Sequence, residues 1–82
     1  MDIEFAVKNK IVEQLNIDLN KTELLPTTNL QNVGVNSIEF VKLIVDIEEE
    51  FNIVYPDDKL LITESGTMEQ IIKVVISCLN DY

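Results

Sequence analysis

The run Asn36-Ser37-Ile38-Glu39 opens a helix that is apolar over more of its circumference than one core can use. Asparagine is a favoured N-cap, and a glutamate three positions on can reach back to the cap's own N–H, as in a capping box. At about 100° per residue, the apolar positions from Ser37 to Phe51 sweep roughly 220°, against a core stripe of a little over ~100°. The arc divides into two sectors. Phe40, Leu43, Ile44, Ile47 and Phe51 fall together as the expected core. Ile38, Val41 and Val45 make a separate i, i+3, i+7 ridge flanked by Lys42, Asp46 and Glu49. Either the helix lies at the centre of a bundle and is buried on both sides, or the ridge stays exposed. A small apolar ridge rimmed with charge is a docking surface, and that is the expectation taken here.

The rest of the chain supplies partners for such a helix. Ile3, Val7, Ile11 and Leu15 recur at helical spacing and predict a first helix over about residues 2–15. From Asn16 to Val35 the period fades. A loop of that length is uncommon in a compact domain, so Leu24, Leu25, Leu30 and Val33 are expected to pin it to the core. After Asn52, Pro56-Asp57-Asp58 reads as the first turn of a short third helix, with proline tolerated there and the acids matching the dipole. Thr67-x-x-Gln70 is a capping box for a last helix, with Met68, Ile71, Ile72, Val75, Ile76 and Leu79 on one stripe. No strand-type alternation of useful length occurs. The fold class expected is all-α: a small four-helix bundle with a long first loop and a short third helix. Eighty-two residues make a single domain, 1–82, with a modest core and little room for a deep cleft.

Charge narrows the function. Fifteen acids stand against six lysines, with no arginine, for a net charge of −9. Phosphate backbones and anionic membranes need cations, so neither nucleic acid nor a membrane surface is an expected partner. Residues 36–64 hold eight acids against Lys42 and Lys59, six of the nine excess negative charges. That surface would steer basic partners or mimic a polyanion. No apolar stretch is long enough to span a bilayer. Met1-Asp2-Ile3-Glu4 is acidic where a secretory signal is basic, and Cys78 stands alone, so a cytoplasmic location is expected.

Chemistry has few places to reside. There is no histidine to activate Ser37 or Cys78, no Ser-His-Asp set and no Gly-x-Ser-x-Gly elbow. Glu48, Glu49 and Glu50 fan around a helix instead of facing each other, and no calcium loop is present. A serine at a helix start is most often a capping residue. Asn36 already takes that position, which leaves the Ser37 hydroxyl free in the first turn, on the surface. It reads as a point of attachment in a protein that is not an enzyme.

Gly34-x-Asn36-Ser37-Ile38, then Val41, Leu43, Ile44 and Ile47-Glu48-Glu49-Glu50-Phe51, with Ile53, Pro56-Asp57 and the Thr67-led last helix, resembles the acyl carrier protein family over essentially the whole chain. The resemblance implies that a phosphopantetheinyl transferase moves 4′-phosphopantetheine from coenzyme A onto Ser37. The thiol of the arm would then carry acyl or aminoacyl groups as thioesters between a loading enzyme and downstream biosynthetic enzymes. Asn36, Ile38, Val41, Lys42, Val45, Asp46 and Glu49 would form the docking surface of a monomer. Three positions depart from the family's commonest pattern: Asn36 replaces an aspartate, Ile38 mildly replaces a leucine, and Lys42 stands where fatty-acid carriers usually have glutamate. They point to a specialised polyketide or nonribosomal peptide pathway. The alternatives are a housekeeping fatty-acid carrier and, in another class, an acidic interaction protein that mimics a polyanion.

Overall fold

Asp2 and a helical run of apolar residues set the first element. The Asp2 carboxylate accepts the Phe5 N–H at 3.2 Å and caps α1, Ile3–Leu15. The computed structural model describes residues 2–17 and 25–80. Within them follow a 3₁₀ turn at Leu30–Val33, α2 at Ser37–Phe51, a second 3₁₀ turn at Asp57–Lys59, the four-residue α3 at Ile62–Ser65, and α4 at Met68–Asn80. The architecture is a small all-helical bundle, as its periodicity predicts. Among the described residues, no helix is long and apolar enough to cross a membrane.

The two long N-terminal helices end alike. Asn16 and Asn52 each adopt the left-handed conformation, at φ 53° and 54°, which asparagine tolerates better than most residues. The isoleucine that follows each then donates its N–H five residues back, Ile17 to Val12 and Ile53 to Glu48. Both isoleucines turn onto the core, so Asn-Ile stops each helix and anchors the exit. The core is built from Val7 and Ile11 of α1, Phe40, Leu43, Ile44 and Ile47 of α2, Ile71 and Val75 of α4, and Leu30. Each such side chain contributes about 1.5–3 kcal/mol by leaving water.

Leu30 is the pin of the long crossover. It is fully buried, its N–H donates to Gly66 O at 2.9 Å, and Val35 N–H closes back on Leu30 O. The Asn29 amide donates to Ile62 O at 2.8 Å, which ties the same segment to α3. Val33 packs against the core as expected. Leu25 does not. It opens the turn that runs through Pro26, its carbonyl accepts Thr28 N–H, and its side chain is exposed. Leu24 lies outside the described residues.

Two further expectations are corrected. Pro56-Asp57-Asp58 does not lead into the third helix. Lys59 N–H bonds to Pro56 O and Leu60 N–H to Asp57 O, two successive i→i+3 bonds that make a short 3₁₀ turn, and Leu61 is extended. The helix starts at Ile62 because that side chain is the one that enters the core. In α4, Ile76 is exposed and Val74 buried. The buried stripe is centred between Ile71 and Val75, which places Val74 on its edge and carries Ile76 about 120° away.

Candidate functional site

The first turn of α2 is fixed by a complete capping box. Glu39 N–H donates to Asn36 Oδ1 at 2.8 Å, and Asn36 N–H donates to Glu39 Oε1 at 3.2 Å. Before it, Gly34 supplies a left-handed residue at φ 95°, a conformation that a side chain would strain. Val35 then buries itself, leaving Asn36, Ser37 and Ile38 exposed. The box occupies two of the donors that a helix start leaves without intrahelical partners. The N–H groups of Ser37 and Ile38 remain, pointing out of the helix beside the Ser37 hydroxyl. That hydroxyl makes no hydrogen bond among the described residues.

The remainder of α2 separates into the two expected sectors. Phe40, Leu43, Ile44, Ile47 and Phe51 are buried. Ile38, Val41 and Val45 retain 68%, 40% and 47% of their exposure, which decides against burial on both sides. Glu49 and Lys42 lie on one flank of this ridge, both exposed. Asp46, expected on the same charged rim, is instead drawn to α1. Its carboxylate accepts from Gln14 and pairs with Lys10 at 3.2 Å. The Gln14 hydrogen bond and the Lys10 ammonium hold that carboxyl below its ordinary range, and the bond to Asp46 raises Lys10 in turn.

Several contributors were not legible beforehand. Glu48 accepts Tyr55 N–H at 2.9 Å and holds the segment that leaves α2 against the helix. Cys78 donates to Val54 O from α4 on the other side. So anchored, the segment presents Val54, and the chain beyond it Leu61, as strongly exposed apolar residues. Nothing in their local spacing separates them from core residues. The cleft by the first turn of α2, lined by Gln14, Leu15, Glu39, Lys42 and Leu43, holds about 220 Å³. Small-molecule sites usually hold ~300–1,000 Å³. The site is therefore a hydroxyl on a convex helix start beside an apolar ridge, suited to being gripped by another protein.

Comparison with known proteins agrees with this geometry. Residues 6–75 match the family model described as "Phosphopantetheine attachment site". A curated relative, the acyl carrier protein of Bdellovibrio bacteriovorus, is 36% identical over 58 residues, which cover 71% of this chain and 73% of that protein. No solved structure matches. A match over most of the chain, on an all-helical bundle that displays a free serine at a helix start, places the protein: it belongs to the acyl carrier protein family, carriers rather than catalysts, whose cofactor is phosphopantetheine.

Proposed function

We propose that Ser37 is the residue that bears the arm, that residues 1–82 act as one carrier domain, and that the protein itself catalyses nothing. The observation that carries the assignment is the free hydroxyl of Ser37 next to two unclaimed helix N–H groups. A phosphodiester formed there gains those donors and the positive end of the α2 dipole. Exposure of Asn36, Ser37 and Ile38 leaves room for a transferase to reach the hydroxyl, and the box holds the turn rigid while it does. When bound, the arm supplies a thiol on which acyl or aminoacyl groups travel as thioesters.

Carriers of this family work with modifying and biosynthetic enzymes. The ridge Ile38, Val41 and Val45 is the surface on which those enzymes would rest, with Glu49 and Lys42 at its rim and Asn36 at its end. Asp46 acts on that surface indirectly, by locking α2 to α1. The pathway is read as a specialised one, of polyketide or nonribosomal peptide type. The support is the neutral Asn36 and the cationic Lys42, where fatty-acid carriers that this chain resembles are most often acidic. A carrier with that face would be read poorly by enzymes built for a uniformly acidic helix.

Intact mass after incubation with coenzyme A and a broad-specificity transferase tests the assignment. The wild-type protein should gain one phosphopantetheine and Ser37→Ala none; an adduct on Ser37→Ala would refute it. Exposure of the primed protein to a panel of activated acids then tests the pathway. Efficient loading by fatty-acid enzymes alone would overturn the specialised role.

A further inference from the structure

Lys42 is the only cation on α2. Two acids stand where a helix would let them neutralise it: Glu39 at i−3 and Asp46 at i+4. Both are committed elsewhere. The Glu39 carboxylate is turned back onto Asn36 N–H at 3.2 Å, and the Asp46 carboxylate is held by Lys10 at 3.2 Å and by Gln14. Lys42 makes no ion pair among the described residues and is exposed. The next acid on its flank is Glu49, seven residues on, about 10 Å along the axis and beyond pairing reach. The capping box and the α1–α2 lock therefore do more than hold the fold. They hold both acids out of pairing with Lys42 among the described residues, so the charges beside the ridge run, from the Ser37 end, as the Glu39 carboxylate, the unpaired Lys42 ammonium and the Glu49 carboxylate.

We propose that Lys42 is a specificity-determining residue for the transferase that primes the protein. The transferase would present an apolar recess to Ile38, Val41 and Val45, a carboxylate opposite Lys42, and a Lys or Arg opposite Glu49. The chain's net charge alone would suggest a wholly basic recess. The uneven order of charge along α2, with one cation set closer to Glu39 than to Glu49, instead fixes the direction in which the helix is gripped, and so delivers Ser37 to the correct end of the partner. Rim charges of this kind act on encounter and on the exclusion of wrong partners. This inference rests on the reading of Ser37 as the attachment site.

The test is steady-state priming by the transferase of the source organism, with coenzyme A, of wild type, Lys42→Arg, Lys42→Glu, Glu49→Lys and the control Lys73→Glu on α4. Helical content by circular dichroism confirms that each variant is folded. Lys42→Glu should raise KM for the carrier about fivefold with little change in kcat, because it loses one rim contact and gains a repulsion. Glu49→Lys should do the same, whereas Lys42→Arg and Lys73→Glu should stay within about twofold. A KM for Lys42→Glu that is unchanged or lower, or an effect on kcat alone, overturns the proposal. Failure of the Ser37 reading would show separately, as wild-type protein that gains no adduct.

Discussion

Replacing Tyr55 with phenylalanine should make this protein more stable, although it removes a polar group and adds no contact. Tyr55 is 3% exposed, and its hydroxyl is buried with no partner among the described residues. A buried hydroxyl that has surrendered water and received nothing costs about 1–3 kcal/mol. Phenylalanine keeps the ring and its packing, and the backbone N–H of residue 55 still reaches Glu48. Taking the lower end, Tyr55→Phe should gain about 1 kcal/mol, worth roughly 4–8 °C in Tm for a domain of this size. Thermal and urea unfolding by circular dichroism would read it, with the midpoint shifted and the slope on urea unchanged. Alkaline conditions give a second readout. Burial, and next the nearby Cys78, push the phenol well above its ordinary value. The folded state thus disfavours the phenolate, so the stability linked to this group is intact below the unfolded value of about 10 and falls as pH rises beyond it. Wild type should lose stability above that pH more steeply than Tyr55→Phe. A variant that melts lower than wild type, or that shares its alkaline slope, would refute the claim that the hydroxyl is unpartnered.

Other perturbations probe the elements that place the site. Asn36→Ala removes the cap of α2 and should cost about 1 kcal/mol, while Asn36→Asp should retain it, measured by chemical denaturation. Gly66→Ala would drive a Cβ into the Ile62 carbonyl oxygen, so the α3–α4 junction must shift and the loss should be about 1–3 kcal/mol by the same measurement. Asp46, whose carboxyl is held low by Gln14 and Lys10, contributes stability that is present above the unfolded value of about 3.9 and lost as pH falls through the folded one. Asp46→Asn should therefore flatten the acid limb of a stability–pH profile below about pH 4.

The parts of this molecule that could be read from the sequence are those fixed within one or two helical turns. Asn36 and Glu39 form their box from local geometry alone, and the sectors of α2 follow from a period that burial respects at each of eight apolar positions. Readings failed where the answer lay in a distant contact. Pro56-Asp57-Asp58 obeys every rule for a helix start, yet the chain waits for Ile62 to meet the core. Ile76 and Val74 exchange roles because α1, the helix that α4 packs against, sets the centre of the α4 stripe, which its own sequence leaves open. Asp46 looked like a rim acid until Lys10, thirty-six residues earlier, claimed it. That same long-range pair is what keeps Asp46 from Lys42, so the most distinctive property of the proposed docking face is the least visible in the sequence.

Fragmentation mass spectrometry of the protein after transferase and coenzyme A treatment bears most directly on the role of Ser37. Cleavage at Lys21 and Lys42 releases residues 22–42, which contain Ser37 and none of the other serines. One phosphopantetheine on that fragment, localised to Ser37, is the predicted result. An adduct on Ser65, on Ser77 or on a threonine, or a protein that gains none, would contradict it.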